Sequence, residues 1–262
     1  MRITTWNINS VRLRIGLLAK LAKEAQPDII CLQETKVEDK SFPINDIKKL
    51  GYEHVIFRGE KGYNGVAIIS KLPLSGSEKI NIANAQDARH ISTILPGDIE
   101  LHNFYVPAGG DEPDVKTNPK YKFKLEFVDY MQNWFSKERK SKDKMIILGD
   151  FNIAPLEHDV WSHKQLLNVV SHTEAEVTRL NNLQQDLDWV DIGRKFIPHN
   201  QKLYSWWSYR SPDWKKSNRG RRLDHVWASN TLNNNIKSYN VLTEARGWQQ
   251  PSDHVPVIVD LY

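Results

Sequence analysis

Apolar residues recur along this chain in two rhythms. Residues 2–8 alternate well enough for a strand, which Asn7-Ile8-Asn9-Ser10 closes with polar, turn-forming side chains. Leu13, Leu17, Leu18, Leu21, Ala22 and Ala25 then follow at helical spacing, and Pro27-Asp28 stops that helix. A second strand, residues 29–33, ends in Glu34. Residues 65–70, 90–95 and 99–106 are three further strands separated by Pro, Gly and Asp turns, and their close spacing predicts antiparallel pairing instead of βαβ crossovers. The last of them delivers Tyr105 to a glycine-rich loop. Tyr121, Leu125, Val128 and Trp134 mark a long amphipathic helix over residues 119–139. Four apolar residues, Met145 to Leu148, then run directly into Gly149-Asp150-Phe151-Asn152, the pattern of a buried strand that carries a carboxylate to a sheet edge. Thr173-Glu174-Ala175-Glu176 has the form of a capping box, so the spacing of Val177, Leu180 and Leu183 predicts a helix from there. Asp224 and Asp253 each stand at the head of a late apolar run.

Composition narrows the class. No linker or charge block divides the 262 residues, which predicts one domain, 1–262, and 40% apolar residues with nine tryptophans suffice for a substantial core. No apolar run approaches a membrane span, and the start lacks the zones of a signal peptide, which together point to a soluble intracellular protein. The single cysteine, Cys31, lies within an apolar run and reads as a core thiol. A net charge of +4 and a pI near 8.9 permit a polyanionic partner without requiring one. Clustering says more: residues 215–222 pack five cations into eight positions, just beyond the aromatic cluster Tyr204 to Tyr209. Aromatics beside cations suit nucleic acid, with charges on phosphates and rings against bases or sugars. A solvated basic loop beside a core aromatic strand fits that segment, taken alone, equally well.

Candidate chemistry lies at the strand ends. A carboxylate at the end of a buried strand must be paired, hydrogen-bonded or facing a cation, although a lone Gly-Asp-x-Asn is equally compatible with a turn. Glu34 and Asp150 close strands while Asp224 and Asp253 open them, so in a sheet with antiparallel neighbours all four acids can share an edge. Gathered carboxylates repel unless a cation holds them, and carboxylate and amide oxygens suit a hard ion such as Mg²⁺ or Mn²⁺. Such an ion calls for an anionic substrate, phosphate being the obvious one. His254 adds an imidazole that an aspartate can keep charged against a pentavalent transition state. His225 is left undecided, and the other histidines, such as His54, His158, His172 and His199, show no metal-ligand spacing.

Trp6-Asn7-Ile8-Asn9, Leu32-Gln33-Glu34-Thr35-Lys36, Tyr105-Val106-Pro107, Gly149-Asp150-Phe151-Asn152, Arg222-Leu223-Asp224-His225 and Ser252-Asp253-His254-Val255-Pro256 together resemble the exonuclease III family of AP endonucleases, in the family's order and over nearly the whole chain. The resemblance implies an α/β fold, a four-layer sandwich of two packed mixed β-sheets flanked by helices. It implies Glu34 as principal metal ligand with Asn7, Asn9 and Asp253 nearby, and Asp150, Asn152 and His254 also within the metal's reach. It makes Asp150 the activator of the attacking water, Asn152 its orienter, Asp224 the partner of His254, and His254 the contact to a non-bridging phosphate oxygen. Tyr105 would lie against the scissile phosphate or leaving oxygen. Arg89, Trp206, Leu223 and the loop cations Lys215, Lys216, Arg219 and Arg221 would join Asn9 in binding DNA.

The implied function is Mg²⁺-dependent hydrolysis of the phosphodiester 5′ to abasic sites, leaving a 3′-hydroxyl, with 3′-to-5′ exonuclease and 3′-phosphatase or phosphodiesterase activity beside it. Its partner would be double-stranded DNA with abasic sites or blocked 3′ ends, and the protein a monomer of the bacterial cytoplasm. Two positions depart from the family: Ala108 stands where an amide commonly contacts phosphate, and Arg221 where an apolar residue helps wall the abasic-sugar pocket, leaving Trp206 and Leu223 as walls. The rival readings are a DNase I-like enzyme acting on lipid or inositol phosphates, which the basic loop disfavours, and a non-catalytic DNA-binding protein, which the retained Glu34, Asp150 and His254 disfavour.

Overall fold

A strand that is apolar on both faces needs cover on both sides, and this chain supplies it in four layers. The structure, a computed structural model, describes residues 1–80, 82, 86–211 and 213–262. Its elements are, in order, β1 (Arg2–Asn7), α1 (Ile15–Glu24), β2 (Ile29–Gln33), α2 (Ile44–Lys49), β3 (His54–Glu60), β4 (Tyr63–Ser70), β5 (Ser75–Glu78), β6 (His90–Leu95), β7 (Ile99–Tyr105), α3 (Pro119–Glu138), β8 (Met145–Asp150) and α4 (His163–Leu166). After these come α5 (Glu174–Asp186), β9 (Val190–Asp191), α6 (Ile192–Phe196), β10 (Trp206–Trp207), α7 (Trp214–Ser217), β11 (Gly220–Arg221), β12 (Asp224–Ala228), β13 (Ile236–Val241) and β14 (Val257–Leu261). One six-stranded sheet runs β13-β14-β1-β2-β4-β3 and the other β5-β6-β7-β8-β12-β9, with β10 and β11 forming a small separate ribbon. Each large sheet holds one parallel pair, β1–β2 bridged by α1 and β7–β8 bridged by α3, among antiparallel neighbours.

Alternation along the central strands builds the layers. Ile29 and Cys31 of β2 join Ile146 and Leu148 of β8 in the core between the sheets. Ile30 and Leu32 face outward onto Leu18 and Leu21 of α1. Phe104 and Ile147 face outward onto Val128 and Phe135 of α3 and Leu180 of α5. The four-layer α/β sandwich expected from the sequence is therefore the fold. The capping box is also present: Thr173 Oγ1 accepts from Glu176 N at 3.3 Å. Among the described residues no helix is long and apolar enough to cross a membrane.

Two expectations need correction. The three closely spaced strands pair antiparallel but do not share a sheet: β4 pairs with β2 and β3, while β6 and β7 belong to the other sheet. Leu13, counted toward the first helix, precedes α1 and is exposed, because the turn after β1 must run on to Arg14 before the helix can start. Arg14 anchors that turn by donating to Asn9 O, Gln250 O and Pro251 O.

Candidate active site

One rim of the sandwich collects the ends of β1, β2, β7 and β8 and the start of β12. Asn7, the last residue of β1, donates through Nδ2 to Glu34 Oε1 at 2.9 Å and to Asp150 Oδ2 at 2.8 Å. One amide thus ties a carboxylate from each sheet. The convergence expected along a single sheet edge is built across the sandwich, with Glu34 following β2 of one sheet and Asp150 and Asp224 on β8 and β12 of the other. Within the second sheet the register places Asp150 opposite Asp224 on one side and Tyr105 on the other.

Four residues of this rim, Asn9, Glu34, Lys36 and Asn152, have left-handed backbones with φ of 49°, 51°, 51° and 52°. Side chains other than glycine take that region at a cost, and such residues gather where surrounding structure holds a site in place. Asn152 is fastened by its own amide, which donates to Val106 O at 2.8 Å and Asp150 Oδ2 at 3.1 Å, and by its N–H, which donates to Asp150 Oδ1 at 2.9 Å.

Asp224 and His254 form the second half of the site. Asp224 Oδ2 lies 2.8 Å from His254 Nδ1, and His254 Nε2 is 3.6 Å from Asp150 Oδ2. Trp6 Nε1 holds the His254 carbonyl at 3.1 Å, and Ser205 Oγ accepts the N–H groups of Leu223 and Asp224 at 3.1 and 3.0 Å. Burial pushes the Asp150 carboxyl up, the neighbouring Asp224 and Glu34 push it further, and the His254 charge opposes both. Burial alone would lower His254, but Asp224 and Asp150 raise it to about 10, so the imidazole is held as a cation at neutral pH. Glu34 ends below its ordinary value because the bonds from Asn7 and Lys36 outweigh its burial. Burial and the nearby Glu34 and Asp150 carboxylates raise the Tyr105 phenol, which therefore stays protonated.

Lys36 completes the rim. Its ammonium is 2.7 Å from Glu34 Oε2 and donates to Asn9 Oδ1 at 2.7 Å, so two oxygens already converge on one cation. Glu34 is thus paired with Lys36 as well as gathered among the acids of the rim. Asp253 accepts from Asn9 Nδ2 at 3.2 Å and from Trp206 Nε1 at 2.9 Å, linking this rim to the cleft above it.

That cleft, about 890 Å³, is lined by Glu34, Asn152, Asp253 and His254 on the rim side and by Trp161, Trp206, Arg219, Arg221 and Leu223 among its walls. Arg219 lies over the Trp161 ring at 4.7 Å and Arg221 over Trp206 at 5.4 Å. Arg221 also donates to Val170 O at 3.0 Å and Ser171 Oγ at 2.7 Å, which fixes it in the wall. Arg221, standing where the family tends to have an apolar wall residue, is therefore part of the wall.

Several expected residues stand elsewhere. Lys215 and Lys216 are exposed on α7 outside the cleft lining, with Lys215 over Trp214. Arg89, expected near a DNA backbone, is buried; it stacks 4.8 Å from the Tyr105 ring and pairs with Asp87 at 3.2 Å, supporting Tyr105 from behind. His225 is a packing residue: its Nε2 donates to Ile153 O at 2.7 Å, it stacks on Phe151, and burial pushes it down to about 4. Trp161 had no signal in the sequence, since it reaches the cleft through long-range contacts such as the isolated bridge between Val160 and Arg221.

Residues 4–254 match the model of the endonuclease/exonuclease/phosphatase family. The chain is 30% identical to an exodeoxyribonuclease III of Haemophilus influenzae over 98% of each chain. Its fold superimposes on an AP endonuclease from Archaeoglobus fulgidus with a TM-score of 0.92 at 32% identity, covering 100% of this chain and 99% of that one. A 3′ phosphatase from Neisseria bound to a product DNA hairpin gives 0.91 at 29% identity, with coverage of 100% and 99%.

Proposed function

Because the chain belongs to the endonuclease/exonuclease/phosphatase family, in its exonuclease III branch, we propose that it is a DNA repair nuclease that hydrolyses the phosphodiester 5′ to abasic sites, with 3′-to-5′ exonuclease and 3′-phosphatase activity at the same site. The observation that carries this reading is the Asp150–Asn7–Glu34 bridge beside the Asp224–His254 pair, at the floor of a cleft walled by arginines stacked on tryptophans.

The donor set fits a hard divalent cation. Glu34 Oε2 and Asn9 Oδ1 already share one ammonium, and Asp224 Oδ1 is buried with no hydrogen-bond partner among the described residues. Glu34 would hold Mg²⁺ or Mn²⁺, with Asn7, Asn9, Asp150, Asn152 and Asp253 as the other oxygen donors at hand. When bound, such an ion supplies charge neutralisation at the phosphate. His254 is better suited to phosphate than to metal, since an imidazolium has N–H groups to donate and no lone pair to give.

The residues then divide the reaction. Asp150, whose carboxyl is raised, takes the proton of the attacking water, which Asn152 orients. His254, kept charged by Asp224, stabilises the non-bridging oxygens as charge grows on them. Tyr105 donates its hydroxyl proton in a hydrogen bond at the scissile phosphate or the leaving 3′ oxygen. Trp206 and Leu223 wall the sugar, while Arg219 and Arg221 meet backbone phosphates.

A labelled duplex carrying one tetrahydrofuran analogue tests the whole reading, because that analogue cannot undergo β-elimination. Cleavage 5′ to the analogue with Mg²⁺, abolished by excess EDTA, is the expected result. A ladder on an undamaged duplex adds the exonuclease. No cleavage of either duplex overturns the reading and directs the search to phosphate monoesters and lipid head groups.

A further inference from the structure

Directly behind the site lies a buried cation that the reaction does not use. Lys124 of α3 is fully buried, and its ammonium pairs with the equally buried Glu176 of α5. The same ammonium donates to Asn152 O at 2.7 Å and to Ala108 O at 3.2 Å. Glu176 accepts from Ser171 N at 2.9 Å, from Thr173 N at 3.2 Å and from Thr173 Oγ1 at 2.7 Å. Two apolar residues of similar volume would join α3 to α5 without the cost of desolvating two charges. The ion pair therefore needs a reason beyond helix packing.

Its reach supplies one. Asn152, Gly109 and Ser171 all have left-handed backbones, with φ of 52°, 89° and 87°, and Lys124 with its partner holds a backbone atom of the turn around each. At Gly109 a Cβ would come within 2.8 Å of Lys124 Cδ and 3.1 Å of Val170 Cγ1, so the glycine-rich loop is laid directly on the lysine stem. The Asn152 carbonyl belongs to the residue whose N–H and side-chain amide orient Asp150. Where the family commonly has an amide side chain at position 108, this chain holds the loop from beneath by its carbonyl.

We propose that Lys124 is a positioning residue: anchored by Glu176, its ammonium fixes the Asn152 and Ala108 carbonyls and thereby the orientation of the Asn152 amide and the Asp150 carboxylate. The proposal rests on the nuclease reading for its substrate and on this geometry for everything else.

Lys124→Met keeps an apolar stem and removes every donor. Lys124→Gln keeps a neutral donor for the carbonyls. Combining each with Glu176→Gln avoids leaving a lone buried charge and preserves one acceptor oxygen for the Thr173 cap. In that background, kcat on the tetrahydrofuran duplex is expected to fall about 10²-fold with Met and less than about tenfold with Gln, the scale expected for small misplacements of reacting groups. Duplex Kd should stay within about threefold for both, since neither residue lines the cleft. Equal loss in both variants, or no loss in either, overturns the proposal.

Hydrogen exchange of the Phe151 and Asn152 amides covers the remaining cases. They should exchange at least about tenfold faster in the Met variant than in the Gln variant, and equal protection overturns the positioning role. If the parental chain cleaves no duplex, the nuclease reading fails while this measurement still decides the proposal. If the Met pair does not fold, the same comparison is made between the parental chain and the Gln pair, where unchanged exchange supports the role of the retained donor and a tenfold rise overturns it.

Discussion

At the residue scale, the proposed reaction asks for groups that cannot be exchanged for near-isosteres. Asp150→Asn keeps the shape and the contact to Asn7 but removes the proposed base, so turnover should fall by at least about 10³-fold while duplex binding is retained. Single-turnover rates beside a binding titration check this, and substantial residual cleavage would move the base elsewhere. Arg221→Leu restores an apolar wall and frees Ser171 Oγ, which should raise cleavage at the abasic analogue relative to exonuclease on an intact end by several-fold. An unchanged ratio on paired substrates would remove Arg221 from substrate choice. Asp150, Glu34 and Asp224 were legible because an acid ending or opening an apolar run demands an explanation. Lys124 and Trp161 were not: Lys124 meets Glu176 across 52 residues and reads locally as one lysine among many on an amphipathic helix.

At the scale of the element, strands were easier to find than their sheets. An apolar run shows that both faces are covered without saying by which neighbour, so nothing in the run of β4 names β2 as its partner. β3, half-buried along its whole length, lacks the contrast that marks a strand in sequence. The helix from Thr173 was legible because its cap is local chemistry, completed within four residues. Gly149 in β8 has a φ of 132°, and a Cβ there would meet Phe104 O at 2.0 Å, against backbone that cannot yield cheaply. Gly149→Ala should therefore destabilise the protein by about 3 kcal/mol or more and separate β7 from β8 beside Asp150. Urea denaturation of the variant gives the answer, and a loss under about 1 kcal/mol would contradict the close approach.

Across the whole molecule, buried histidines contribute a loss of stability in acid. His90, His102, His172 and His225 are all lowered, with desolvation the largest cause in each and His225 reaching about 4. Above about pH 6.5 these rings are neutral folded and unfolded alike; below it the unfolded chain binds protons that the folded one refuses, so stability falls as pH drops from about 6.5 toward 4. His225 alone accounts for about 3 kcal/mol of that loss. His254 acts oppositely: raised to about 10, it adds stability that is fully present below about 6.5 and disappears as pH climbs toward 10. Asp150, raised to about 7 chiefly by burial, opposes the histidines in part, since its carboxyl takes up a proton in the folded chain before the unfolded one. The four histidines still outweigh it, so stability should fall on the acid side of about pH 6.5, and His225→Phe should flatten that side. A thermal midpoint that does not change between pH 6.5 and 4.5 would refute this.

The Asn7 bridge has a consequence in time. It joins residues 143 positions apart, and the Trp6 bond to the His254 carbonyl spans 248. Contacts that distant form late, after local helices and hairpins have condensed. During refolding, helical signal should therefore return well before cleavage does, since a chain with both sheets formed but not yet docked has Glu34 in one half and Asp150 in the other, with no amide between them.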